Sequence, residues 1–191
     1  CTSLTHIEIP SSMTKIDEFL FSECSSLIEV KIPSSITSIG CYAFHNCKNL
    51  KHIDIPPSVA FIDGYTFSEC SSLETIEIPT ELTEIVGCMF RGCESLKKVS
   101  IPSSIKKIGP STFNGCASLE EIEIPPSVIS IGCDAFRGCK SLKMVSIPIS
   151  VNSIGQNAFD ECSSLKQISI PSSINSDNLG IGSNVEITRI K

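Results

Sequence analysis

A cysteine recurs every 23 residues along the chain, and this period sets the architecture. Its eight members are Cys1, Cys24, Cys47, Cys70, Cys93, Cys116, Cys139 and Cys162. Other residues keep the same phase: Leu follows each cysteine by three positions, Ile or Val by six, Pro by nine, and Phe follows the first seven by twenty. A unit of this length cannot bury its apolar side chains alone, whereas stacked units bury them in continuous columns. The period therefore predicts a solenoid of eight 23-residue coils.

Each unit contains two segments that favour extended structure. The stretch L-x-x-I-x-I alternates with period two, which predicts a short strand that ends at the following proline. The later I-x-x-I-G segment predicts a second extended piece, and Gly40, Gly109, Gly132 and Gly155 are expected to adopt a turn conformation closed to most residues. The A-F-x-x-C stretch leaves room for about one helical turn. We therefore expect a mainly β solenoid, with a parallel sheet on one face and short extended or one-turn helical segments opposite.

The consensus C-x-S-L-x-x-I-x-I-P-x-S-[IV]-x-x-I-G-x-x-A-F resembles the BspA-like leucine-rich repeat, also called the Treponema pallidum type. The resemblance runs from Cys1 to about Ile174, with Asp17, Asp63 and Val86 in place of the usual glycine. It implies a right-handed leucine-rich-repeat solenoid whose sheet lines a concave face. It also implies a non-enzymatic role, because such arrays occur on surface proteins of bacteria and parasitic protists and are implicated in adhesion and binding of host proteins.

The repeat pattern fails after Ile174, where Asp177 and Asn178 occupy the positions expected for Ile and Gly. We therefore divide the chain into a solenoid over residues 1–174 and a C-terminal capping segment over residues 175–191. The segment is expected to cover the apolar edge of the last coil. At the other end, the chain begins in mid-pattern, which predicts that further repeats precede it.

The periodic cysteines are predicted to be small buried hydrophobic residues between coils. Disulfides along the column fit the ~5 Å spacing of stacked coils, but the side chains would run parallel instead of toward one another. Cys41, Cys88 and Cys133 lie outside the column, and a bridge to the periodic cysteine five or six residues later is an alternative. A zinc site is not expected, because four converging ligands would disrupt the column. Cysteine usage therefore leaves the cellular compartment open.

The residues four, five and seven positions after each periodic cysteine vary while the framework stays constant. They are predicted to point outward from the first strand of each coil, and we call the surface that they form the concave face. Its candidate partner-binding residues are His6, Glu8, Glu29, Lys31, His52, Asp54, Glu74, Glu77, Lys97, Lys98, Glu120, Glu121, Glu123 and Met144. Acidic bands flank a basic one, which favours a protein partner over a polyanion. A merely solvated sheet face is the alternative.

One outward column is predicted to stack His6, Glu29 and His52 in three consecutive coils, ~4.8 Å apart. The simplest interpretation is a chance grouping of exposed polar residues. In a functional interpretation, the imidazoles gain charge between about pH 5 and pH 7, or the trio gathers a divalent metal ion. Because the two histidines are ~10 Å apart at their backbones, the pH effect is favoured over the metal.

Composition and motifs exclude several classes of function. A net charge of −6 and a pI near 5.1 argue against nucleic acid as the main partner. No apolar run reaches the ~18 residues of a membrane span, so no membrane insertion is expected. Hydrolase, nucleotide-binding and zinc-protease motifs do not occur, so neither catalysis nor a cofactor is predicted.

We therefore expect a protein-recognition or adhesion module, part of a larger cell-surface or secreted protein, with host or extracellular matrix proteins as candidate partners. A cytoplasmic interaction scaffold is the first alternative, and reduced thiols would be expected there. A structural spacer without a ligand is the second.

Overall fold

The computed structural model of the chain, which describes residue 1 and residues 3–191, consists of short strands that recur once or twice in each repeat. In chain order they are β1 (His6–Glu8), β2 (Lys15–Ile16), β3 (Glu29–Lys31), β4 (Ser38–Ile39), β5 (Phe61–Ile62), β6 (Thr75–Glu77), β7 (Glu84–Ile85), β8 (Lys98–Ser100), β9 (Lys107–Ile108), β10 (Ser130–Ile131), β11 (Met144–Ser146), β12 (Ser153–Ile154), β13 (Gln167–Pro171) and β14 (Glu186–Ile190). We number the coils from 1, which begins at Cys1, to 8, which begins at Cys162.

The strands form two rows, and pairing within each row is parallel. In the first row β1 pairs with β3, β6 with β8, and β11 with β13. In the second row β2, β4 and β5 form one sheet, and β7, β9, β10 and β12 form another. Up to β13, every pair joins residues that are 23 positions apart, as in the pairing of Ile16 with Ile39. This register confirms the predicted parallel β solenoid.

The core is built from columns of identical or similar side chains. Phenylalanines from Phe21 to Phe159 stack face to face, with ring centroids 5.3–5.8 Å apart between neighbouring coils. The leucine column and the inward isoleucines and valines of the first strands fill the space beside the rings. Each coil thus completes the core of the coil before it, which is why a single unit could not fold alone.

The periodic cysteines are buried as predicted, but they also donate hydrogen bonds. The Cys70 thiol donates to the carbonyl oxygen of Phe44 at 3.1 Å, and the Cys93 thiol donates to that of Phe67, also at 3.1 Å. The same bond recurs from Cys47 to Cys162. The Phe67 carbonyl already accepts from the backbone amide of Cys70, so the thiol occupies a second acceptor position of a buried carbonyl. The cysteine column therefore has a polar as well as an apolar role.

The side opposite the first strands differs from one expectation. The one-turn helices expected at A-F-x-x-C are not found in the described part of the chain, and successive turns occupy this stretch. Within it, amides bond to the next coil: Phe44 N–H donates to Thr66 O at 2.9 Å, and Asn46 N–H donates to Ser68 O at 2.8 Å. Because these amides are used between coils, they are not free to close a helix. The extended pieces expected before this stretch are confirmed by β2 and its counterparts.

The role expected for the glycine of I-x-x-I-G was wrong. Gly40 and Gly109 are not among the residues with positive φ; Gly92 and its counterparts, directly before a periodic cysteine, are. A Cβ on Gly40 would lie 2.7 Å from the backbone nitrogen of Glu18, and one on Gly109 would lie 2.5 Å from that of Gly87. Glycine at this position therefore permits close approach of two backbones, not a left-handed turn.

The segment 175–191 continues the stacking in a shortened form. Asn157 and Phe159 donate backbone hydrogen bonds to Asn178 and Leu179, and Leu179 is buried. β14 then pairs with β13 in parallel, although the register now joins Ile168 with Ile187. The first part of the segment therefore stacks on coil 7 and β14 stacks on coil 8. That the segment acts as a cap stays a prediction.

Candidate partner-binding face

The structure places the fourteen candidate residues on one surface. The strand residues alternate, so that Val30, Ile76 and Val99 point into the core while their neighbours point outward. All the candidates are exposed except Glu74, which is half-buried. Where first-row strands pair in register, side chains at equivalent positions of adjacent coils become neighbours. The framework thus presents a row of variable side chains.

Two ion pairs neutralise part of this surface. The Lys97 Nζ donates to a carboxylate oxygen of Glu74 at 3.1 Å, and the Lys143 Nζ donates to Glu120 at 2.9 Å. The hydrogen bonds from these ammonium groups, together with their charge, lower the pKa values of Glu74 and Glu120. Exposed pairs of this kind contribute little stability, so their main effect is on the pattern of charge. Lys143 was not among the sequence candidates, although its position four residues after Cys139 is the signal that marks it.

Several candidates keep an unpaired charge. Within the described residues, Lys98, Glu77, Glu121 and Glu123 take part in no ion pair shorter than 4.0 Å. The predicted acidic and basic bands therefore contain two kinds of charge. The ion pairs join residues four positions after the periodic cysteines, and the unpaired charges stand five or seven positions after them. The free charges are the groups that a charged partner would meet.

The column of His6, Glu29 and His52 is assembled only in part. The Nε2 of His6 lies 4.0 Å from a carboxylate oxygen of Glu29, and the two residues are paired in register. The His52 ring instead shares a 3.3 Å hydrogen bond with the hydroxyl of Thr75 in the next coil. Across residue 1 and residues 3–191, no group of three or more His, Cys, Asp or Glu side chains is arranged to hold a metal ion. The metal interpretation is therefore not supported, and the pH response stays a prediction.

The first strand row is interrupted at coils 3 and 6, which sequence reasoning missed. In the described chain, residues 52–55 and 121–124 form no strand and no backbone hydrogen bond to either neighbouring coil. The row is thereby divided into coils 1 and 2, coils 4 and 5, and the end from coil 7 onward. These two coils are the ones in which a second proline directly follows the first, at Pro57 and Pro126. That recurrence is the signal that could have found them.

A cleft opens at each interruption. The coil-3 cleft has a volume of about 480 Å³ and is lined by residues 28–32 and 51–54. The coil-6 cleft, of about 740 Å³, is lined by residues of coils 5, 6 and 7, among them Lys98, Glu121, Glu123 and Met144. These two depressions of the concave face therefore lie at the gaps in its hydrogen bonding.

The cysteines form no disulfide in this structure. Cys133 is exposed, and Cys41 and Cys88 are half-buried on the turn side of the solenoid. The predicted alternative of a bridge within a unit is not observed. Described residues also include no helix with the length and apolar character needed to cross a membrane.

Comparison with known proteins decides the family. The profile of the BspA-type leucine-rich repeat region matches in six copies, over residues 1–120 and 88–191. The chain belongs to the BspA-type leucine-rich repeat family. The resemblance seen in the sequence is thereby confirmed, and the 23-residue coils are its repeat units. Curated proteins give no match.

Solved structures of this kind share the fold. A leucine-rich repeat protein from Bacteroides ovatus is 28% identical with a TM-score of 0.82, and the alignment covers 100% of this chain and 55% of that one. The Treponema pallidum leucine-rich repeat protein is 30% identical with a TM-score of 0.77, over 84% of this chain and 77% of that one. A leucine-rich cell surface protein from Faecalibacterium prausnitzii is 27% identical with a TM-score of 0.62, over 99% and 60%. The chain thus spans little more than half the length of the Bacteroides protein.

Proposed function

We propose that this BspA-type array is a non-enzymatic recognition module that binds a protein partner through its concave face. The observation that carries the proposal is the arrangement of exposed, partly unpaired charges on a rigid and regular framework. An arrangement of positive and negative charges favours a specific protein partner, because a partner whose charges are arranged differently would meet like charges. The concave face is the part of each coil that varies in chemistry while the core columns stay constant.

The size of the face sets the expected affinity. Eight coils at ~4.8 Å span about 38 Å, and ~12 Å of exposed strand gives roughly 450 Å² of projected area. A standard specific interface uses about 800 Å² on each partner. This array alone should therefore bind weakly, and neighbouring loops or further repeats would strengthen binding through multivalency.

A non-catalytic role and a surface location agree with the same features. The clefts of the concave face are open depressions between strands, whereas catalysis favours a site that excludes water. The related Faecalibacterium protein is described as a cell surface protein, and it shares the fold over nearly all of this chain. We therefore propose a cell-surface or secreted protein, with host or extracellular matrix proteins as the partners to test first.

A charge-swap pair tests the function. In the concave variant, Lys98→Glu is combined with Glu121→Lys, which reverses two unpaired charges and keeps the net charge. In the matched control, Lys107→Glu is combined with Glu84→Lys on the paired strands β9 and β7, which lie in the second row. Both proteins are measured by surface plasmon resonance against a panel of purified matrix and plasma proteins, after circular dichroism has shown that each is folded.

The expected result is that the wild type binds at least one panel member, that the concave variant binds it at least tenfold more weakly, and that the control binds it unchanged. Equal losses in both variants would show that the concave face is not the specific binding surface. Absence of binding to every member at about 100 µM would favour the structural spacer.

A further inference from the structure

The coil-6 cleft combines an apolar wall with free carboxylates. Met144, with 60% of its surface exposed, the exposed Pro126 and the buried Ile122 are among its lining residues. Glu121 and Glu123 stand two positions apart on coil 6, which places their backbones ~6.6 Å apart on the same side. Lys98, from coil 5, is the one cation in the lining. The free charge of the cleft is therefore negative, beside a surface that a hydrocarbon chain can cover.

The coil-3 cleft has a similar backbone but different charges. Here too the stretch without hydrogen bonds to the neighbouring coils ends in an isoleucine-proline-proline sequence. Its lining contains two acidic residues, Glu29 and Asp54, and two lysines, Lys31 and Lys51. Those charges cancel. The opening thus recurs after three coils, in the two coils with adjacent prolines, and the two openings differ in their side chains.

The interrupted ladder also changes what the backbone can do. In coils 4 and 5 the first strands, β6 and β8, pair with each other. In coil 6, described residues 121–124 make no such backbone hydrogen bonds, and the cleft lies directly against them. Backbone polar groups need hydrogen-bond partners, so these groups can be satisfied by water or by an extended ligand.

We propose that the coil-6 cleft is the specificity site of the concave face, and that it takes an extended segment of a protein partner with a Lys or Arg side chain between apolar residues. This inference rests on the proposed function. The aliphatic stem of the inserted side chain packs on Met144 and Pro126, and its cationic end lies between the carboxylates of Glu121 and Glu123. The neutral coil-3 cleft offers no such preference.

Synthetic peptides test this without a known partner. The probes are acetyl-Ser-Leu-Lys-Leu-Ser-amide and the same peptide with Glu or Gln in place of Lys, titrated into the ¹⁵N-labelled chain and followed by NMR. We expect the Lys peptide to shift amides of residues 98–101, 121–124 and 144–147. The Glu peptide should bind at least tenfold more weakly, and the Gln peptide should fall between them.

Two double variants locate the effect. E121Q with E123Q should lower the affinity for the Lys peptide at least fivefold, and because both side chains are exposed the fold should be retained. The matched control, E29Q with D54N in the coil-3 cleft, removes the same charge and should leave the affinity unchanged. Equal binding of the Lys and Glu peptides, shifts confined to other coils, or equal losses in both variants would each overturn the proposal.

The outcome is separable from that of the proposed function. If a partner protein is lost in the Lys98/Glu121 charge swap but binds E121Q/E123Q as well as wild type, the cleft proposal fails and concave recognition stands. If the Lys peptide behaves as expected but no concave variant affects any protein, the cleft chemistry stands and the wider recognition role fails.

Discussion

Replacing Phe90 with Ala should destabilise the solenoid by about 4 kcal/mol. The ring is 1% exposed and stacks between Phe67 at 5.8 Å and Phe113 at 5.6 Å. Burial of a phenylalanine contributes roughly 1.5–3 kcal/mol, and each aromatic pair adds about 0.5–1.5 kcal/mol. The cavity left between rigid coils keeps the cost within the ~3–5 kcal/mol typical of a Phe to Ala change in a core.

Phe21→Ala is the matched control, because Phe21 is 9% exposed and stacks on Phe44 alone among the described rings. It loses one aromatic pair instead of two, so its cost should be about 1 kcal/mol smaller. Equilibrium urea unfolding, followed by far-ultraviolet circular dichroism, gives both free energies. Amide hydrogen exchange is then measured at residue 90 and in the next coil, which accepts its backbone hydrogen bond. It shows whether the loss of stability is confined to these coils or shared along the array.

Two results would refute this reasoning. If Phe90→Ala unfolds at the same urea concentration as the wild type, the phenylalanine column does not hold the coils together. If the two variants lose equal stability, stacking between successive rings adds nothing to burial, and the cost depends on the cavity alone.

Three further predictions concern the cysteine column and the C-terminal segment. In urea unfolding, Cys93→Ser should be more stable than Cys93→Ala by about 0.5–1.5 kcal/mol, because the serine hydroxyl can still donate to Phe67 O. The opposite order of stability would show that the thiol acts only as a hydrophobic group. Burial raises the pKa of Cys162 to about 12 and those of Cys70, Cys93, Cys116 and Cys139 well above their ordinary 9.0. As the pH rises above about 9, these thiols therefore lose their protons in the unfolded state before the folded state. The free energy of unfolding should fall by about 1.4 kcal/mol per pH unit for each thiol, until the pH reaches the pKa of that thiol in the folded state. A urea midpoint that is equal at about pH 8 and pH 10 would contradict this. Truncation after Ile174 removes β14 and exposes the edge of β13, so light scattering should detect self-association, whereas an unchanged monomer would identify residues 175–191 as a dispensable tail.

Periodicity predicted much of the fold because every coil repeats the same local rules. The strand positions, the buried columns and the 23-residue register all follow from residues that recur in phase. The outward orientation of Glu29 and Lys31 follows in the same way, since alternation along a strand is a local property. The helical turn was mispredicted because amides such as that of Phe44 bond to the next coil, a contact that short segments do not reveal.

The candidate site was predictable as a surface but not as a set of contacts. Lys97 with Glu74 and Lys143 with Glu120 become neighbours through the register, yet whether their side chains meet depends on rotamers and on spacing between coils. Whether Glu123 stays without an ion pair depends on the same details. Sequence alone could therefore name the face, but could not separate its neutral pairs from its free charges.

The sequence by itself determined that this chain stacks 23-residue coils around columns of Leu, Ile, Phe and Cys, because only stacking buries side chains that recur at that interval. Tertiary structure alone decided other features, namely that the Cys93 thiol meets a carbonyl and that Gly109 is needed for backbone contact. Each of these depends on the distance between two coils, which is set by the packing of the whole array and not by residues that are neighbours in the chain.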